Sequence, residues 1–154
     1  MAKVIENLER DLQSLVHASS DARKASTEGE AKAEHKYDTR GIEQGYLANG
    51  QAKRGFELQE SISILRSLPL LVFSDSSEIQ ISALVDLENE DGECQSFFIL
   101  PLRGGMKIQS EEKEVLTLSP DSPMGAMILS KTIGDTIEVK LKSRTVNYIV
   151  RSIR

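Results

Sequence analysis

Tryptophan is absent from this 154-residue chain and aromatic residues make up only 5% of it, so any core must be largely aliphatic. The single cysteine, Cys94, excludes an intramolecular disulfide and a cysteine-rich zinc site. No apolar run approaches the roughly 18 residues of a membrane-spanning helix. The N-terminus enters a charged amphipathic pattern directly, without the apolar core of a signal peptide. Together these absences predict a cytoplasmic globular protein that does not associate with membranes.

Positive charge is also scarce, since the formal net charge is −5. Residues 1–66 carry 10 Lys and Arg against 11 Asp and Glu, and residues 67–154 carry 9 against 13. A mildly acidic body argues against independent, sequence-specific binding of DNA. The chain also lacks a P-loop, a nucleophile elbow and a zinc-protease motif, so no enzymatic activity of its own is expected.

The first 66 residues are predicted to form an antiparallel coiled-coil hairpin. Apolar and small residues recur at alternating spacings of three and four, the signature of a coiled-coil seam, on both sides of a break at 27–29. Large residues at the base face each other, and small or polar ones occupy the seam near the turn. The large residues are Ile5, Leu8, Leu12 and Leu15 before the turn, and Leu58, Ile62 and Leu65 after it. At 1.5 Å per residue, 27 helical residues would reach roughly 40 Å.

Residues 67–77 are predicted to be a linker, because Leu68-Pro69 ends the helix and a serine-rich stretch follows. The remainder, 78–154, alternates like β-strands. Five strands are expected near 79–87, 95–100, 115–118, 137–141 and 147–153, with a short helix near 124–129. The fold class is therefore α+β, with a helical hairpin followed by a curled antiparallel sheet.

The predicted tip of the hairpin, near 28–38, alternates acids and bases. Residues four apart share a helix face, so Glu30, Glu34 and Asp38 would form one acidic stripe. One interpretation is structural: Thr27 and Glu30 have the spacing of a capping box. The other is metal delivery, because one or two exposed carboxylates can complete the coordination of a Mg²⁺ ion that another protein holds.

Two motifs favour the second interpretation by resemblance. Gly29 to Tyr37 and then Glu43-Gln44-Gly45-Tyr46-Leu47 resemble, without a gap, the hairpin tip of the bacterial transcript-cleavage factors of the GreA/GreB family. The resemblance implies that Glu30 occupies the position of the first metal-holding acid. Ala33 stands where the family has its second acid, and Glu34 follows one position later.

The second motif lies at residues 121–139. Asp121-Ser122-Pro123-Met124-Gly125 and Gly134-Asp135 match, in register, the family's C-terminal segment. The resemblance implies an FKBP-like domain that docks at the rim of the secondary channel of RNA polymerase, with Asp121, Ser122, Pro123 and Met124 as the binding residues. The structural alternative is a helix start, with Asp121 or Ser122 as N-cap and Pro123 in the first helical position. Both interpretations are compatible.

Three functions remain open at this stage. The chain could be a Gre-like elongation factor in which Glu30 and Glu34 act on Mg²⁺ shared with the bacterial RNA polymerase, with no cofactor of its own. It could be a cleavage-deficient inhibitor that occupies the secondary channel. It could be an unrelated hairpin interaction module. The resemblance further implies a monomer whose tip approaches the RNA 3′ end, where basic residues of the hairpin form either an RNA contact or a solvated face.

Overall fold

The computed structural model describes residues 1–28, 40–110, 113–140 and 145–154, with the side chains of 22–28 and 40–48 excepted. The chain divides into two compact units, Met1–Ser67 and Leu68–Arg154. Their element types, two long helices and then a sheet with one short helix, confirm the α+β class predicted from the sequence. Of the helices in the described part of the chain, none is both long and apolar enough to cross a membrane.

The first unit consists of α1 (Ala2–Glu28) and α2 (Arg40–Ser67). The predicted seam is confirmed, since Leu8, Leu58, Ile62 and Leu65 are all buried. Farther along, Leu12 and Leu15 of α1 face Gly55 of α2, where an added Cβ atom would lie 3.5 Å from the Leu15 Cδ2. The helices are antiparallel and close together there because a glycine faces two leucines.

The hairpin also carries an ion pair between its helices. The guanidinium of Arg66, near the end of α2, donates to the carboxylate of Glu9 in α1. Both side chains are substantially exposed, so the pair contributes at most about 1 kcal/mol to stability. Hydrophobic burial at the seam is the larger source of cohesion, because each buried leucine or isoleucine contributes about 1.5–3 kcal/mol.

The second unit is built on one six-stranded sheet, in the order β3-β4-β2-β1-β6-β5. Its strands are β1 (Leu84–Asn89), β2 (Cys94–Ile99), β3 (Lys107–Gln109), β4 (Glu114–Leu118), β5 (Thr136–Lys140) and β6 (Thr145–Ile153). A helix of six residues, α3 (Pro123–Ile128), lies between β4 and β5 in the chain. A cluster that includes Val85, Leu87, Phe97, Ile128 and Val150 forms the core, and all five side chains are almost completely buried.

Two features of the sheet differ from the sequence prediction. First, β2 and β4 pair in parallel, with Ser96 opposite Val115 and Ile99 opposite Leu118, so the sheet is mixed. Second, β3 was not predicted, because three residues are too short for an alternation to be recognised. The parallel pair arises because β3 and its flanking loops separate β2 from β4, and a parallel pair needs a longer crossover than a hairpin turn.

The predicted first strand also starts later than expected. Residues 79–83 form turns before β1, and Ser82 adopts a left-handed backbone conformation with φ of 77°. The amide of Ser82 donates to the Ile99 carbonyl, and the amide of Ala83 donates to the Gln80 carbonyl. The apolar residues of this stretch are buried by packing rather than by strand pairing, a difference that an alternating pattern cannot reveal.

Candidate docking site

The predicted docking residues lie at the start of α3, which begins immediately after Ser122. The Ser122 side chain is the N-cap, since its Oγ accepts a hydrogen bond from the Gly125 amide at 3.0 Å. Pro123 follows at the first helical position, where its missing N–H is not needed. The predicted helix start is thus confirmed, and the structure selects Ser122 rather than Asp121 as the cap.

The same hydroxyl makes a second hydrogen bond. Ser122 Oγ donates to the Ser119 carbonyl at 2.7 Å, and the Ser122 amide donates to that carbonyl at 3.0 Å. Gly125 packs against Ser119 so closely that any Cβ atom would overlap its carbonyl. Gly104 approaches Ser119 from the loop after β2, and a Cβ atom there would lie 2.8 Å from the Ser119 nitrogen.

Ser119 is therefore enclosed between two glycines and holds the turn that starts α3. Sequence reasoning identified Gly104 only as part of a loop and did not identify Ser119. No local signal could have shown their contact, because it joins positions 104, 119 and 125. The nearest clue was the adjacent pair Gly104-Gly105, which marks a close backbone approach as readily as a flexible turn.

The four predicted docking residues differ in exposure. Asp121 and Pro123 are exposed, whereas Ser122 and Met124 are half-buried. Met124 packs partly against the core cluster of the second unit. The surface at the start of α3 thus presents a carboxylate beside a rigid pyrrolidine ring, with Met124 supporting them from below.

The Gly134-Asp135 part of the motif has a structural role in this fold. The Asp135 carboxylate accepts hydrogen bonds from the Thr132 amide at 2.7 Å and the Thr132 hydroxyl at 3.1 Å. These bonds, the amide first, hold the pKa of Asp135 below its ordinary value. Gly134 has a φ of +92°, a conformation that favours glycine, so the pair closes the turn that leads into β5.

The predicted tip acids, Glu30 and Glu34, and the neighbouring Ala33 lie outside the described residues. Thr27 lies within α1, so it is not the N-cap of a helix that starts after it. The capping-box interpretation of Thr27 and Glu30 is therefore wrong. Carboxylate oxygens remain suitable ligands for Mg²⁺, and the roles of Glu30 and Glu34 stay predictions.

A charged network lies on the central strands of the sheet. Asp86 of β1 accepts hydrogen bonds from Lys113 Nζ, Ser96 Oγ, Ser152 Oγ and Arg154 Nη2 at 2.5–2.8 Å. Burial raises the pKa of Asp86, but the hydrogen bonds from Lys113, Ser96 and Ser152 together hold it below its ordinary value. The network joins β1, β2 and β6 with the start of β4, so its role in this fold is structural.

Comparison with known families places the chain. The sequence profile described as "Transcription elongation factor, GreA/GreB, C-term" matches residues 74–154, more than half of the protein. The chain therefore belongs to the GreA/GreB family of transcription elongation factors. Within that family it is a divergent, Gre-like member.

Several solved structures are similar to this chain. A structure titled for the transcription factor Gfh1 is 22% identical, with 99% of this chain and 94% of that chain covered and a TM-score of 0.44. Gfh1 from Thermus aquaticus is 19% identical over 97% and 92% of the two chains, with a TM-score of 0.42. A GreA/GreB factor from Nitrosomonas europaea is 12% identical over 64% and 78%, with a TM-score of 0.40. No curated protein gave a match.

Proposed function

We propose that this chain binds bacterial RNA polymerase through Asp121, Ser122, Pro123 and Met124, and modulates the cleavage of backtracked transcripts. The observation that carries the proposal is the construction of the α3 start. The contacts of Ser119 with Ser122 and Gly125 fix this turn at the surface, and Asp121 and Pro123 are exposed on it. Membership of an elongation-factor family supplies the partner.

In this proposal the hairpin enters the secondary channel of the polymerase as a monomer in the cytoplasm. α1 has 27 residues, which corresponds to roughly 40 Å of helix. Glu30 and Glu34 lie at its far end and bring their carboxylates to the active centre, near the RNA 3′ end. A second Mg²⁺ bound there would activate water and stabilise charge on the reacting oxygens. The chemistry belongs to the polymerase, so the chain is a regulator and not an enzyme.

One sequence observation favours a second candidate function. Ala33 occupies the position of the family's second acid and offers no ligand atom. If Glu34 does not replace that acid, the hairpin would occupy the channel without supporting cleavage. The chain would then inhibit transcription by occlusion, and removal of the Glu30 carboxylate would leave the inhibition intact.

The decisive experiment is RNA 3′-end cleavage in a stalled, backtracked complex of the cognate polymerase. Wild type is compared with Glu30→Ala and Glu34→Ala, and with Glu60→Ala as a control at an exposed acid of α2. Cleavage that is lost in either tip variant, but kept in Glu60→Ala, supports the cleavage factor. Polymerase binding without cleavage supports the occluding regulator. Absence of binding at micromolar concentration refutes both.

Docking is tested separately by measuring the affinity for core polymerase. Asp121→Ala and Pro123→Ala should each weaken binding several-fold without lowering the thermal stability of the protein. Lys140→Ala, an exposed change on the edge strand β5, serves as the control. Unchanged affinity in both α3 variants would contradict docking through this turn.

A further inference from the structure

The longest apolar run of the chain, Leu68 to Phe73, is largely exposed in the second unit. Leu70 is 60% exposed, Leu71 47% and Val72 99%. Three consecutive large aliphatic side chains in water are unfavourable unless they serve a contact, and such patches mark interaction sites. This apolar segment is therefore a candidate binding element.

The segment is held in place by the fold. The amide of Leu71 donates to the Oγ of Ser82 at 3.0 Å, and Ser82 is itself buried in its left-handed conformation. Two residues later, Phe73 packs against the core cluster. The exposed leucines are thus displayed from a fixed backbone, which lowers the entropic cost of binding a partner.

An apolar groove of about 480 Å³ runs beside this segment. One wall consists of Leu68, Pro69 and Leu71, and the other of Ile79, Ile81 and Leu129. The two chain regions of the second wall are joined by backbone bonds, from the Ile79 amide to the Lys131 carbonyl at 2.8 Å and from the Ser130 amide to the Ile79 carbonyl at 3.0 Å.

The groove is continuous with the proposed docking turn. Pro120, which lies two residues before the N-cap of α3, lines the groove, and so does Leu129, the C-cap of the same helix. Both ends of α3 therefore border the groove. A partner that contacts Asp121 and Pro123 needs only a short extension to reach Leu71.

Charge identifies the kind of occupant. Two exposed acids lie next in sequence to lining residues, Glu78 beside Ile79 and Asp121 beside Pro120, whereas Lys131 is half-buried. A second copy of this chain, with its net charge of −5, would bring further acids to this rim. A helix with an apolar ridge and flanking Lys or Arg residues would bury the groove and pair the acids.

We infer that this apolar groove is a second half of the docking surface and receives an amphipathic, basic-flanked helix of RNA polymerase. The inference rests on the proposed function and extends it from the α3 turn to the segment around Leu71. Loss of the Leu71 side chain should weaken polymerase binding about tenfold, since burial of a leucine corresponds to roughly one to two decades in affinity.

The first test measures core-polymerase affinity for Leu71→Ser, Glu78→Lys and the control Ile133→Ser. Ile133 is 36% exposed and does not line the groove. We expect about tenfold weaker binding for Leu71→Ser, a loss for Glu78→Lys that shrinks as salt rises, and no change for Ile133→Ser. Melting temperatures identify a variant that has lost its fold.

The second test needs no destabilising change. A photo-crosslinking phenylalanine derivative replaces Gln80, an exposed lining residue, and the captured polymerase peptide is mapped by mass spectrometry. Capture of a helical segment rich in Lys or Arg supports the inference. Capture of a non-helical or acidic segment, or absence of any crosslink in a complex that forms, overturns it.

The outcomes also separate this inference from the proposed function. If wild type binds and Asp121→Ala weakens binding while Leu71→Ser does not, only the groove is rejected. If wild type does not bind polymerase, both fail. A dimer in analytical ultracentrifugation that Leu71→Ser dissociates would assign the groove to a second copy and overturn the inference.

Discussion

Gly125 of α3 lies so close to Ser119 that no Cβ atom fits between them. The obstacle is backbone, the carbonyl of Ser119, and not the movable end of a side chain. That carbonyl also accepts two hydrogen bonds from Ser122, so it cannot withdraw without loss of the N-cap arrangement. The glycine of the Ser-Pro-Met-Gly motif is thus required by packing, whatever the motif binds.

Replacement of Gly125 by alanine should therefore destabilise the second unit. We expect a loss of about 1–3 kcal/mol in the free energy of unfolding, the usual cost of overpacking, measured by urea denaturation. Gly50→Ala is the matched control, because nothing lies within 4 Å of its added Cβ atom in α2. That control should gain about 0.5–1 kcal/mol from helix propensity. Equal effects of the two substitutions would contradict the packing argument.

Ser122→Ala should remove both hydrogen bonds of the hydroxyl and with them the N-cap of α3. The expected cost is about 1 kcal/mol in unfolding free energy, with a parallel decrease in polymerase affinity because the docking turn loosens. Ser122→Thr keeps a hydroxyl that can both donate and accept, and it should retain most of the stability. If threonine proves as harmful as alanine, the hydrogen bonds do not hold the turn.

Stability should fall in acid because of Asp86. Its pKa lies below the ordinary value of 3.8 in the folded protein, so its stabilising contribution is present above that value and is lost as pH falls through the folded pKa. Unfolding experiments between pH 2 and 7 should show this decline, and Asp86→Asn should flatten it. At pH 7 the same substitution should cost about 1–3 kcal/mol.

The control for Asp86 is Asp75→Asn, the same change at an exposed turn. A surface substitution of this kind usually alters stability by less than about 0.5 kcal/mol. An acid decline that persists unchanged in Asp86→Asn would mean that other carboxylates are responsible.

Cys94 should react slowly with thiol reagents although it is exposed. Burial raises the pKa of its thiol, and the carboxylate of Glu88 raises it further, while the thiol Sγ lies 3.7 Å from Glu88 Oε2. Only the thiolate is nucleophilic, so the alkylation rate at neutral pH should be lower than that of a cysteine peptide. Glu88→Gln should shift the pH–rate profile to lower pH. An identical profile in that variant would exclude the carboxylate as the cause.

Much of the hairpin could be predicted from the sequence, because its signals are local. The heptad spacing of Leu8, Leu12 and Leu15 fixes which helix face is buried, and Leu68-Pro69 fixes where α2 ends. The helix start at Ser122-Pro123 was equally legible, since capping depends on adjacent residues. These features need only the geometry of a helix and a few neighbouring residues.

The tertiary structure decided what depends on contacts between distant positions. The parallel pairing of β2 with β4, the enclosure of Ser119 by Gly104 and Gly125, and the convergence of Lys113, Ser152 and Arg154 on Asp86 all join segments far apart in the chain. Periodicity reports which face of an element is apolar, but not which element covers it. The exposed Leu70-Leu71-Val72 illustrates the same limit: its composition predicts burial, and only the folded chain shows that it faces water beside the docking turn.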